Sequence, residues 1–210
     1  MGFLKRKKRK KKFEEIDNLR ENEYLKEPKI RENEYFEPHF LFKVILIGHN
    51  DSGKISSLER FGNSWFESNT KLTLGISFEV KEIRIENINI KLQIWDLAAK
   101  ERWKILAPYY CRGALGAILI FDVSNAKSLY QLLEWVQIIR ENTKSIPIIL
   151  MGNLDESNNP REVSAESALD FLKSNGLSGY FEGNIAKGEK FANIFESLIH
   201  LIIKKYDRAN

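Results

Sequence analysis

One cysteine, Cys111, stands in 210 residues, so no intrachain disulfide can form and a disulfide-built scaffold is excluded. Histidine is nearly as scarce. His39, His49 and His200 share no spacing that suggests a metal site or a general base. Long hydrophobic runs are also missing: the longest, Ala114–Phe121, falls far short of the ~20 residues a membrane-crossing helix needs. Acidic residues are absent from residues 1–12, which hold eight basic ones from Lys5 to Lys12. The chain has 33 basic and 29 acidic residues, so the rest carries 25 basic against the same 29 acidic. The net +4 therefore belongs to a tail, and the body gives no reason to expect specific nucleic-acid binding.

What is present suits one sizeable core: 43% of residues are hydrophobic and 30% charged. Residues 1–37 read as a basic, charged extension, flexible or partly helical. Within it Arg20-Glu-Asn-Glu-Tyr24 recurs as Arg31-Glu-Asn-Glu-Tyr35, and two copies are too few for a solenoid. Residues 38–207 read as the folded domain. Phe40–Gly48 is a short apolar run ending at glycine, the mark of a buried strand, and residues 54–62 have a helical pattern. Ile76–Glu86 and Ile88–Trp95 alternate as two strands joined by a tight turn near Asn87-Ile88-Asn89. Ala114–Asp122 and Ile146–Gly152 are two further strands. Leu129, Leu132, Leu133, Val136 and Ile139 share a helical face. Ser164 is placed to cap a helix carrying Ala168, Leu169 and Leu172, and Phe191, Ile194, Phe195, Leu198, Ile199 and Ile202 form a last stripe. Strands alternating with helices predict a doubly wound, mostly parallel α/β sheet with its site beyond the carboxyl ends of the strands.

The first of those ends carries Gly48-His49-Asn50-Asp51-Ser52-Gly53-Lys54, which fits G-x-x-x-x-G-K in a strand–loop–helix setting. Main-chain amides of such a loop curl around a phosphate at a helix N-terminus while Lys54 neutralises its charge. The plainer alternative is a glycine turn with a solvated lysine. Further along come Thr73-Leu-Gly-Ile-Ser-Phe78, Trp95-Asp-Leu-Ala-Ala-Lys-Glu-Arg-Trp103, Tyr110-Cys-Arg-Gly-Ala114 and Phe121-Asp-Val-Ser-Asn125, in that order.

Together these motifs resemble the Ras superfamily of small GTP-binding proteins, most of all its Rab and Ras branches, over about residues 40–206. The resemblance implies a P-loop fold with a six-stranded sheet, one strand antiparallel, helices on both faces, and GTP or GDP held with Mg2+. It gives Lys54 the β- and γ-phosphates and makes Thr73 the first-switch magnesium ligand. Asp96 would hold the metal through water, Asn153 would orient the base loop, and Ala186-Lys187 would match the last base-contacting loop.

Several positions depart from that pattern. Ile55 replaces the hydroxyl residue that ligates magnesium, and Ser56 next door points about 100° away on a helix. Ala99 and Lys100 replace the second-switch Gly-Gln, and lysine, a donor only, does not orient an attacking water as glutamine does. The base loop reads Asn153-Leu154-Asp155-Glu156, with Glu156 one methylene too long and Asp155 one residue early, and Ile185 stands where serine is usual. Asn50 and Asp51 occupy phosphate-loop positions where small residues are common.

Two readings stay open. One is a guanine-nucleotide switch with weakened magnesium binding and hydrolysis. The other is a non-catalytic interaction module that binds nucleotide poorly or not at all. Effector or regulator contacts are expected through residues 65–78 and 96–110, with Trp65, Phe66 and Trp103 as aromatic candidates, and a monomer is expected. Arg6 spoils an N-myristoylation motif and Asp207–Asn210 contains no cysteine for prenylation. A cytoplasmic protein, peripheral at an anionic membrane surface through residues 5–12, is therefore expected beside the alternative of a solvated tail.

Overall fold

Valine, isoleucine, leucine and phenylalanine crowd the segments read as strands, and those segments form one sheet. The protein is seen in a computed structural model that describes residues 37–48, 70–72, 76–85, 87–100, 104–154, 159–185, 187, 188 and 190–209. Its strands are β1 (Phe40–Gly48), β2 (Thr70–Leu72), β3 (Ile76–Ile85), β4 (Ile88–Ala98), β5 (Gly116–Asp122), β6 (Ile148–Asn153) and β7 (Gly179–Gly183). They lie in the order β2-β3-β4-β1-β5-β6-β7. β1 pairs in parallel with β4 and β5, and β6 with β5 and β7, while β3 runs antiparallel to β4 and to β2. The six strands expected are therefore present, and the three-residue β2 adds an edge beside β3. The β3–β4 register puts Ile85 opposite Ile88, so Ile88 and Asn89, expected in the turn, already belong to β4, while Asn87 lies in the turn.

Helices α1 (Ala107–Cys111), α2 (Ala126–Tyr130), α3 (Leu132–Asn142), α4 (Ala165–Ser174) and α5 (Phe191–Ala209) cover both faces. Ile45, Ile47, Leu119, Phe121 and Leu150 meet Trp135 and Ile139 of α3 and Phe171 of α4 on one face. On the other, Val44, Leu46, Ile118, Ile120 and Met151 meet Ile194, Phe195, Leu198 and Ile202 of α5. Buried on both sides, β1, β5 and β6 are apolar along nearly their whole length, as central parallel strands must be. At Gly116 a β-carbon would lie 2.9 Å from Leu198 Cδ1, so the missing side chain lets α5 sit on β5.

The stripe from Leu129 to Ile139 belongs to two helices rather than one. The chain breaks at Gln131, and Leu133 is exposed, as is Leu169 on α4. Ser164 caps α4 as predicted, its Oγ accepting from Ser167 N at 3.0 Å. No helix among the described residues is long and apolar enough to cross a membrane.

Candidate functional site

The carboxyl ends of β1, β4, β5 and β6 bring Gly48, Asp96–Ala98, Asp122 and Asn153 to one edge of the sheet, with Gly48 in register with Ala98 and Asp122 with Asn153. Of the positions singled out in the sequence, Gly48, Asp96, Ala99, Lys100, Asn153, Leu154 and Lys187 are described there. Residues 49–56 of the phosphate loop, Thr73, Asp155, Glu156 and Ala186 lie outside the described residues, as do residues 54–62, Trp65, Phe66, Trp103, His49 and the extension up to residue 36. Among the described residues no cluster of His, Cys, Asp or Glu could hold a metal ion.

Base-loop geometry is built from main-chain amides meeting side-chain oxygens. Asn153, only 5% exposed, accepts from Ile185 N through Oδ1 at 3.0 Å. Leu154 N donates to Gly183 O at 3.0 Å. Asn184 Oδ1 accepts from Lys187 N at 3.0 Å, folding the loop back on itself with Lys187 exposed. Ile185 puts its side chain wholly into the core against α5, so the substitution for serine changes packing while its amide serves the loop. Leu154 likewise packs against the opposite core cluster.

The far end of the same loop is held by residues the sequence did not single out. Arg161 grips Glu182 of β7 with two bonds, of 2.9 and 2.8 Å, and donates to Val163 O at 3.0 Å. Tyr180 donates its hydroxyl to Glu182. The Arg161 hydrogen bond holds the Glu182 carboxyl below its ordinary range, while burial and the Glu182 bond push the Tyr180 hydroxyl well up. These partners are far apart in sequence, so no local pattern points to them. Asn184, an amide side chain three residues before the amide it binds, carried a readable turn signal.

On the β4 side main-chain bonds tie the segment after Asp96 to β1. Asp96 is 6% exposed at the end of its strand. β4 ends two residues on, at Ala98; Ala99 N then donates to Gly48 O at 2.9 Å and Lys100 N turns back to Ala98 O at 2.7 Å. Ala99 packs against the core and Lys100 is exposed.

Beside this segment three aromatic rings pack together, tilted against one another. Phe78 lies 4.9 Å and Tyr110 5.5 Å from Trp95, ring centre to ring centre. Lys43 Nζ sits 4.8 Å over the Trp95 ring and donates to Arg112 O at 2.8 Å. Ile105, Leu106 and Tyr109 are exposed next to them, with Arg112 over the Tyr109 ring at 5.4 Å. Cys111 is buried, and burial pushes its thiol up to about 11.

A mostly parallel sheet whose first strand is followed in sequence by G-x-x-x-x-G-K, and whose β6 ends in an Asn-anchored loop, defines a nucleotide-binding α/β protein of the P-loop class. A family model described as "Ras family" matches residues 43–204. The chain is 33% identical over 172 residues to the Ras-related protein RABA4b of Arabidopsis thaliana, a match covering 81% of this chain and 76% of that protein. It is 33% identical over 168 residues to the Ras-related protein Rab-11A of Dictyostelium discoideum, covering 78% of each. It is also 33% identical over 166 residues to the Ras-related protein Rab-13 of Canis lupus familiaris, covering 79% of this chain and 81% of that one. The chain belongs to the Ras family of small GTP-binding switch proteins.

At the strand ends Asn153 Oδ1 holds the Ile185 amide and Asp96 brings one buried carboxylate.

Proposed function

We propose that this chain is a guanine-nucleotide-dependent switch in which magnesium binding is weakened and GTP hydrolysis is slow. Lys54 and the amides of residues 48–56 hold the phosphates, Thr73 and Asp96 serve the metal, and Asn153, Leu154, Asp155 or Glu156, Ala186 and Lys187 form the base side. Magnesium, when bound, neutralises charge on the phosphate oxygens. The observation that carries the reading is the Ala99 amide. In a protein of this family the amide at this position is expected to turn toward the terminal phosphate of GTP, and here it is spent on Gly48 O at 2.9 Å. Engaging GTP thus costs a strand hydrogen bond and a movement of a half-buried alanine. Lys100 offers the phosphate a positive charge but no acceptor for an attacking water, which favours binding over turnover.

The test is Ile55→Thr. Release of a fluorescent GDP from the purified chain should slow about tenfold in magnesium and hardly change in a chelator, the size of one recovered ligand interaction. Equal effects in both conditions remove the metal argument. Single-turnover hydrolysis should rise when Ala99→Gly and Lys100→Gln are combined.

The interaction-module reading has its own support in Leu154, which packs into the core, and in exposed Ile105, Leu106 and Tyr109 beside the Phe78–Trp95–Tyr110 rings. The aromatic surface serves effector or regulator proteins under either reading. Nucleotide co-purifying with the protein decides between them. Folded protein that elutes free of nucleotide and ignores added GTP and GDP leaves only the interaction module. The eight cations of residues 5–12 place the chain at anionic membrane surfaces, and vesicle binding that survives deletion of residues 1–12 rules that out.

A further inference from the structure

At the opposite pole of the sheet from Gly48 and Asn153, β6 starts behind Ser145 and Pro147 while α5 runs out through Lys204 and Lys205. Between them lies a shallow, open cleft of about 530 Å³. Its charged lining is Arg140, Lys204 and Lys205, with Ser145 and Ser178 contributing hydroxyls and no acidic residue in the wall. Arg140 is fixed in place: its guanidinium donates to Ile146 O and to Gly176 O, each at 2.9 Å. Those bonds use two of its five donors. Gly176 presents its carbonyl from a left-handed turn, φ +59°, that ends α4. The two lysines are exposed, and among the described residues none of the three cations forms an ion pair. Burial first, and then the Arg140 charge, lower the pKa of the Lys205 ammonium, so the cleft gathers like charges without a counter-charge.

We propose that this cleft is a second anion site, separate from the nucleotide loop, that takes a phosphate-bearing ligand. A fixed guanidinium fork matches phosphate oxygens in pairs, and two mobile ammonium groups add charge around it. One carboxylate needs only one such cation, whereas a phosphate dianion or a cluster of phosphates uses all three. Ile146, Pro147 and Leu201 complete the wall, and the cleft is open enough to leave a charged head group hydrated beside the three cations. A soluble polyphosphate and the phosphorylated head group of a membrane lipid share this chemistry.

The test uses the full chain, titrated calorimetrically with inositol trisphosphate and sedimented with phosphatidylcholine vesicles with or without phosphatidylinositol bisphosphate. Lys204 and Lys205 hold nothing in place, so K204Q/K205Q should keep its thermal midpoint while binding the soluble probe about thirtyfold more weakly. Arg140→Lys keeps the charge and tests the fork, and should weaken binding in the same direction. Vesicle capture that also falls in K204Q/K205Q, with residues 5–12 neutralised in both proteins, identifies the lipid source, and soluble binding alone identifies the free anion. No binding by the unaltered chain, binding abolished by Lys54→Ala, or vesicle capture that depends only on residues 5–12 would each overturn the proposal.

Discussion

At the β6–β7 end of the site, the amides of Ile185 and Lys187 are held by side-chain oxygens of Asn153 and Asn184, and the return of the loop is pinned by Arg161 on Glu182. At the β1–β4 end, the amides of Ala99 and Lys100 donate to main-chain carbonyls, of Gly48 and Ala98. One end is held by side-chain oxygens, whereas at the other any change of conformation would exchange main-chain bonds. The departures from the family pattern divide in the same way. Ile185 is absorbed into the core, whereas Ala99 and Lys100 fall where a nucleotide-dependent rearrangement would have to take place.

Restoring serine at Ile185 attacks the side-chain-held end hardest. The side chain is fully buried, so Ile185→Ser should cost about 3–5 kcal/mol and lower the thermal midpoint by roughly 6–20 °C. A midpoint within ~2 °C of the parent would show that the side chain is not part of the core. Asn153→Ala leaves the Ile185 amide buried without its acceptor and should cost about 1–3 kcal/mol, measured by urea unfolding. Ala99→Gly, on the other side, should lower stability by only ~0.5–1 kcal/mol while raising the preference for GTP over GDP in a competition assay. If it destabilises more than Asn153→Ala, the contrast between the two ends fails.

The smallest effect is expected from acid. Arg161 depresses the Glu182 pKa in the folded state, so this carboxylate adds stability above its unfolded pKa of about 4.3 that is lost as pH falls through the lower folded value. Glu182→Gln should therefore flatten the stability profile below about pH 4 and change it by less than ~1 kcal/mol at neutral pH, because the pair is partly exposed. An unchanged acid slope means that Arg161 does not hold the carboxylate in solution.

Much of this architecture was legible because central strands are apolar on both faces: β1, β5 and β6 announce themselves as uninterrupted runs. Strand β7 was not singled out, since Gly179-Tyr-Phe-Glu-Gly183 is short, half-buried and bounded by glycines, and its pairing with β6 is long-range. Periodicity also overstated Leu133 and Leu169, which lie at the margins of their stripes and face solvent. In the site, Asn153 and Asp96 were picked out by the family resemblance, at the carboxyl ends of strands where such a sheet puts its site. The Arg161–Glu182–Tyr180 contact was not, because its members lie on separate segments that only the folded sheet brings together.

Cys111 supplies a built-in clock for the segment next to Asp96. It is the sole thiol in the chain, it is buried in the core cluster against which Trp95 and Tyr110 pack, and at neutral pH it stays protonated. An alkylating reagent must wait for α1 to lift away before it can react. The labelling rate of the unmodified protein therefore records how often that helix opens, with no probe introduced, and comparing the rate with GDP and with GTP present reports whether the nucleotide's last phosphate is felt there.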